Sequence, residues 1–223
     1  MKAQPRQLAL ALTHPESFTR EDFLPGTSNA ASLRLIEAWP DWPGRMLLLV
    51  GPEGSGKSHL ASIWADASGA RLVAAHALQE GRVPATLGTG AVVVEDMAPG
   101  RFDERALLHL LNLARETGCF ALFTARSVPS GWTLAIADLA SRLRALPSVA
   151  VNAPDDHLLR ALLVKLFTDR QIAVDEPLIG YLVSRIERSF AAARDVVRQL
   201  DTEALRRKRP LTKTLAAEIL RSP

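Results

Sequence analysis

Gly51-Pro52-Glu53-Gly54-Ser55-Gly56-Lys57-Ser58 satisfies every fixed position of the phosphate-loop pattern G-x-x-x-x-G-K-[ST]. It decides the fold, because such a loop works only between a buried strand and the helix that follows it. The glycines let successive backbone N–H groups converge on phosphate oxygens with no Cβ in the way. Lys57 brings a point charge to the β- and γ-phosphates, and the Ser58 hydroxyl is placed to hold Mg²⁺. The flanks agree: Met46-Leu47-Leu48-Leu49-Val50 reads as a buried strand entering the loop, and His59-Leu60-Ala61-Ser62-Ile63-Trp64-Ala65 as the helix leaving it. A nucleoside di- or triphosphate is the expected ligand.

Outward from the loop, the 223 residues are enough for one α/β domain and a smaller appendage. An apolar share of 48% with 23% charged residues is ordinary for a soluble globular chain, and a net charge of +3 is too small to imply a nucleic-acid partner by itself. The pI near 9.4 reflects a slight excess of arginine spread over the surface. Cys119 is the single cysteine, so no intramolecular disulfide forms, and its apolar neighbours predict a reduced, buried thiol. The N-terminus carries no apolar run long enough for a signal peptide or a membrane span. The expected location is cytoplasmic, with no membrane partner.

Short apolar strands alternate with helical patterns: Met46 to Val50, about Ala70 to Ala74, Ala91 to Val94, Cys119 to Thr124, and Ser148 to Val151. Five strands with helical crossovers imply a parallel sheet covered on both faces. A helix is expected over about Ala30 to Ala38. After Asn152 only helical patterns remain, opening at Pro154-Asp155-Asp156 and continuing over Pro177 to Ile186, Phe190 to Arg206 and Leu215 to Leu220. The expected organisation is a flexible arm over 1–17, a nucleotide-binding α/β domain over 18–153, and a small helical lid over 154–223.

A phosphate loop needs a carboxylate on a neighbouring strand to fix the Mg²⁺ shell, and Val92-Val93-Val94-Glu95-Asp96 offers two at the expected strand end. The usual order is Asp for the metal and then Glu for the attacking water. Here it is reversed, so Glu95 is read as the metal residue and Asp96 as a shorter, misplaced base; tight binding with slow intrinsic hydrolysis is expected. Thr124 ends the fourth strand and is either a weak γ-phosphate sensor or a simple strand cap. Arg142, in Leu139-Ala140-Ser141-Arg142-Leu143-Arg144, lies on a short helix before the fifth strand. That position faces a neighbouring subunit in ring- or filament-forming ATPases, so it is either a finger reaching a partner's nucleotide or an ordinary surface arginine. Arg194, after Ala191-Ala192-Ala193, is either a lid contact to the phosphates or an exposed helix arginine.

Together these residues resemble the AAA+ ATPases and, within them, the DnaA-related clade and its regulatory-inactivator branch, the Hda-like proteins. The resemblance covers nearly the whole chain: the arm Gln7-Leu8-Ala9-Leu10-Ala11-Leu12, the base-pocket segment Phe18 to Asn29, the phosphate loop, the acidic strand, Ser141-Arg142-Leu143, and the lid ending at Glu218-Ile219-Leu220. It implies an AAA+ P-loop domain with a five-stranded parallel sheet and a C-terminal helical lid. It also implies ADP or ATP with Mg²⁺ as ligands, bound through Phe23, Leu24, Pro52, Glu53, Gly54, Ser55, Gly56, Lys57, Ser58, His59 and Arg194, with Ser58 and Glu95 toward the metal. Asp96 and Thr124 fall at the catalytic side. The arm residues Gln7, Leu8, Leu10 and Leu12 inherit docking to the DNA sliding clamp, an extended segment placing leucines in a groove; local packing of the arm is the alternative. Arg142 becomes an arginine finger acting on ATP held by DnaA.

The chain departs from that pattern at Arg126, where DnaA has an acidic sensor. The span from about Ala75 to Gly90 is also too short and too rich in Gly and Pro for the helix with which initiators engage single-stranded DNA. The expected function is therefore a clamp-tethered negative regulator of replication initiation that stimulates hydrolysis of DnaA-bound ATP. ADP is the expected nucleotide of its active form, intrinsic ATPase activity is weak at most, and DNA contact is only indirect through the clamp. Self-association is left open. Two rivals stand beside it: a self-contained AAA+ ATPase loading or remodelling a replication protein, which turns over ATP alone and is sensitive to Asp96→Asn, and a nucleic-acid adaptor using Arg206-Arg207-Lys208-Arg209 and Lys213.

Overall fold

The structure, a computed structural model, describes residues 18–221; the arm with Gln7, Leu8, Leu10 and Leu12 falls outside that range. The chain divides into two compact units, one spanning Phe18–Asp155 and one comprising the helices from Asp156 onward. In chain order the first unit holds α1 (Ala30–Glu37), β1 (Met46–Val50), α2 (Lys57–Ser68), β2 (Arg71–Ala74), α3 (Val83–Thr86), β3 (Ala91–Met97), α4 (Glu104–Thr117), β4 (Phe120–Ala125), α5 (Ala137–Arg144) and β5 (Ser148–Ala150). The five strands form one parallel sheet in the order β2-β3-β4-β1-β5. Between Ala75 and Gly90 there are only short turns and the single-turn α3.

Alternation along each strand splits the core into two layers. Met46, Leu48, Val92, Val94, Ala121 and Phe123 pack with α3, α4 and α5 on one face. Leu47, Leu49, Val93 and Leu122 pack with α1 and α2 on the other. Both faces are covered, which is why these strands read as unbroken apolar runs. Each fully buried leucine contributes roughly 2 kcal/mol of transfer free energy. The second layer centres on Trp64, fully buried on α2 and stacked on Trp42 at 4.9 Å between ring centroids. α4 begins where the Asp103 carboxylate accepts the N–H groups of Arg105 and Ala106 (2.9 and 3.1 Å), a cap worth about 1 kcal/mol.

The tightest approach in the sheet lies where β1 turns into the loop. The Gly51 N–H donates to the Ala125 carbonyl (3.1 Å) and the Val151 N–H to the Val50 carbonyl (2.7 Å). These bonds draw the two chain segments together until a Cβ on Gly51 would collide with the Val151 carbonyl oxygen and stand 2.9 Å from Ser55 Oγ. Backbone on one side leaves no flexible neighbour to yield. Gly51→Ala is expected to destabilise the protein by about 3 kcal/mol. Thermal unfolding should register a drop of roughly 6–12 °C; an unchanged midpoint would show that β5 shifts without cost.

The second unit holds α6 (Asp156–Asp169), α7 (Glu176–Val183), α8 (Phe190–Arg207) and α9 (Lys213–Arg221). Leu159, Leu163, Phe167, Leu178, Leu182, Val197, Leu200 and Leu215 form its core, each fully buried. Asp175 caps α7 by accepting from the Leu178 N–H, and Ser189 caps α8 by accepting from the Ala192 N–H, both at 3.0 Å. α7 stops at Val183 rather than Ile186, where the Arg185 N–H tightens to the carbonyl of Leu182 three residues back. The basic run at the end of α8 is matched by acids: Arg206 and Arg207 pair with Glu203, and Arg207 and Arg209 with Glu218. Among the described residues no helix is long and apolar enough to cross a membrane.

Candidate functional site

The loop leaves β1 and turns through Gly54 (φ +69°) and Gly56 (φ +97°), positive-φ conformations that glycine adopts at low cost because it has no Cβ. Lys57 is the first residue of α2 and is only 7% exposed. Its ammonium donates to the carbonyls of Gly51 (2.9 Å) and Pro52 (2.7 Å), so the loop wraps around its own cation. Burial holds the Lys57 pKa below its ordinary 10.5; Asp96 opposes that shift, Arg126 reinforces it, and Glu53 and Glu95 oppose it more weakly. Four charged side chains therefore act on one ammonium. Ser55 is buried with an Oγ that has no hydrogen-bond partner, while Ser58 is exposed on the first turn of α2.

The acidic pair does not stand at a strand end, as the sequence suggested, but inside β3, which runs on to Met97. Register is regular up to Val94 opposite Phe123 and resumes with Met97 opposite Ala125, so Glu95 and Asp96 share the single partner position of Thr124. This is a β-bulge, with Asp96 at φ +56°. The Asp96 N–H donates to Thr124 Oγ1 at 2.9 Å, and Thr124 is 1% exposed. Thr124 thus fixes the backbone of the acid beside it, a positioning role that neither sequence reading foresaw. Glu95 is half-buried with its Oε1 unpartnered, whereas the Asp96 side chain is open to solvent.

The base-pocket segment is tied to α2 through His59. Its ring meets the edges of Phe18 and Phe23 (centroids 5.3 and 5.1 Å), and one ring nitrogen lies 2.7 Å from the Thr19 carbonyl. Phe23 is 4% exposed and belongs to the core, and Leu24 is half-buried. Asn29, fully buried and missed in the sequence, organises this turn: Oδ1 accepts from the Gly26 N–H (2.8 Å) and Nδ2 donates to the Leu24 carbonyl (3.0 Å). A lone Asn just before an apolar helical pattern was the available signal.

Arg142 sits on α5, where its Nε donates to both Asp138 carboxylate oxygens (3.1 and 3.0 Å). The start of α5 is anchored by Glu104, whose two oxygens accept the N–H groups of Ala135 (3.0 Å) and Ile136 (2.8 Å). Glu104 was also missed; nothing in its local sequence marks it. Arg194 is half-buried near the start of α8, in the helical unit.

These residues fit a phosphate chain. A buried Ser55 hydroxyl and a Glu95 carboxylate oxygen, both without partners, and a Lys57 ammonium that donates to loop carbonyls and feels the Glu95 charge are the groups a phosphate chain and its metal would engage. No cluster of three or more His, Cys, Asp or Glu among the described residues holds a metal alone. Mg²⁺ fits such a place when Ser58 and Glu95 share it with phosphate oxygens, the arrangement this ion favours.

This architecture, a five-stranded parallel sheet with helices on both faces, a phosphate loop after β1 and a helical unit beyond it, is the AAA+ fold. The chain is similar to domain III of the replication initiation protein DnaA from Thermotoga maritima, with a TM-score of 0.76 at 16% identity, covering 92% of this chain and 98% of that one. It is also similar to AMPPCP-bound DnaA from Aquifex aeolicus (TM-score 0.68, 16% identity, 86% of this chain and 68% of that one). A third likeness is to the Thermotoga maritima Holliday junction branch migration motor RuvB (TM-score 0.71, 15% identity, 92% and 71%). No protein-family model matches the chain, and no curated protein matches it.

Proposed function

We propose that this chain is an adenine-nucleotide-binding regulator of replication initiation, held on the DNA sliding clamp by Gln7, Leu8, Leu10 and Leu12, that stimulates hydrolysis of ATP on DnaA through Arg142. The observation that carries the reading is the intact loop with Lys57 beside the bulged Glu95–Asp96 pair. Likeness to domain III of a replication initiation protein supports the replication setting. ADP or ATP with Mg²⁺ supplies charge and rigidity at the loop. The protein's own residues do the rest: Lys57 and the loop N–H groups bind phosphate, Glu95 and Ser58 orient the metal, Thr124 holds Asp96, and Phe23, Leu24 and His59 flank the base. Contact with DNA is indirect, through the clamp, a view favoured by acids matching the Arg206–Arg209 run.

Binding of the full chain to the sliding clamp of its host tests the tether. Micromolar binding that disappears in a Gln7→Ala, Leu8→Ala variant is expected; no binding by the wild type sinks the clamp-dependent mechanism. A second reading, a self-contained ATPase, draws on the presence of Lys57, Glu95, Asp96 and Thr124 in one place. Its mark is steady phosphate release by the purified chain alone.

A further inference from the structure

Arg126 follows β4 directly, two residues after the Thr124 that holds Asp96, and so stands between the phosphate loop and the acidic pair. Its Nη1 lies 2.7 Å from Oε2 of Glu53, a residue of the loop itself. Both side chains remain open to solvent, 55% exposed for Arg126 and 73% for Glu53, so neither is locked by packing. The place of this pair along a bound phosphate chain follows from Lys57. The lysine would reach the second and third phosphates, and Glu95 would help hold the metal that neutralises them. A third phosphate would then lie toward the β3–β4 side of Lys57, where Arg126 is a solvent-open cation that acts on that ammonium.

One guanidinium edge cannot serve the Glu53 carboxylate and a phosphate oxygen together. A diphosphate leaves the pair as it is. A triphosphate competes with the carboxylate for Arg126, and Glu53 then faces a ligand with more negative charge. We propose that the Glu53–Arg126 ion pair sets the choice between diphosphate and triphosphate at this loop, with Glu53 disfavouring the third phosphate and Arg126 accommodating it. The proposal rests on the nucleotide-site reading given above. It assigns a role to the arginine that departs from the acidic sensor of DnaA, and to a loop position the phosphate-loop pattern leaves unspecified.

Calorimetric titration of the full chain with Mg-ADP and with a Mg-bound non-hydrolysable ATP analogue tests it, using wild type, Glu53→Gln, Arg126→Ala and the double variant. The readout is the ratio of triphosphate to diphosphate affinity, which is insensitive to a general loss of binding. One unit charge beside the ligand in a solvent-open site is worth about fivefold. Glu53→Gln is expected to move the ratio about fivefold toward the triphosphate, Arg126→Ala about fivefold the other way, and the double variant to return near wild type. A ratio that ignores both substitutions, while Lys57→Ala still removes binding, overturns the selector alone. A wild type that binds neither nucleotide overturns the nucleotide-site reading and the selector with it.

Discussion

In a reaction containing ATP-loaded DnaA, DNA-loaded clamp and this protein, Arg142→Ala is expected to abolish the stimulation of hydrolysis, a loss of about 10³-fold or more if the side chain acts as a finger. Clamp binding by the same variant is expected to stay at the wild-type level, because the proposed tether over Gln7 to Leu12 does not include Arg142. The structure shows Arg142 parked against Asp138 within one helical turn. A solvent-open i,i+4 pair is worth only about 0.3–0.5 kcal/mol, so releasing the guanidinium toward a partner's phosphates is cheap beside what it gains there. Placement is the harder requirement, and it falls to the Glu104 carboxylate that fixes the start of α5. A normal stimulation rate in Arg142→Ala would remove the finger assignment and leave nucleotide binding untouched.

The second large effect belongs to Lys57. Its ammonium makes two charge-assisted bonds to loop carbonyls, which a phosphate chain would replace with bonds in which both partners are charged. Losing two such bonds at about 1.5–3 kcal/mol each predicts at least a hundredfold weaker nucleotide binding in Lys57→Ala, read by calorimetry. The pH dependence carries a sign that can be checked in the same experiment. Burial lowers the Lys57 pKa from 10.5, so affinity for a polyphosphate should begin to fall at a lower pH than an ordinary lysine would give. Without nucleotide the sign reverses for folding. The unfolded chain holds the extra proton between the lowered pKa and 10.5, so this group makes stability rise with pH across that window. Lys57→Ala should lose that slope. Nucleotide binding that survives the substitution at full strength would mean the ligand sits elsewhere.

The sheet was legible because a phosphate loop dictates its neighbours: once Gly51–Ser58 is read, β1 and α2 follow, and buried parallel strands announce themselves as apolar runs. The acidic strand was legible only in part. A bulge has no local sequence signature when the residue in the left-handed region is Asp96 rather than glycine, so β3 seemed to end where it bends. Pairs formed across long stretches of chain were invisible for a different reason. Glu53 meets Arg126, and Glu104 meets Ala135 and Ile136, through the order of strands in the sheet, which sequence periodicity does not reveal. Asn29 is the intermediate case: its position before α1 is a recognisable helix-start signal, but its full burial is a property of packing.

Three of the four tryptophans gather in one place: Trp42 and Trp64 stack, and both Trp39 and Trp42 present their rings to Phe120. Trp64 rides on the same helix that begins with Lys57, so any rotation of α2 as the loop takes hold of a ligand changes the overlap of two coupled indoles. The protein therefore carries its own optical reporter, with the excited states of an indole pair linked by one helix to the phosphate site.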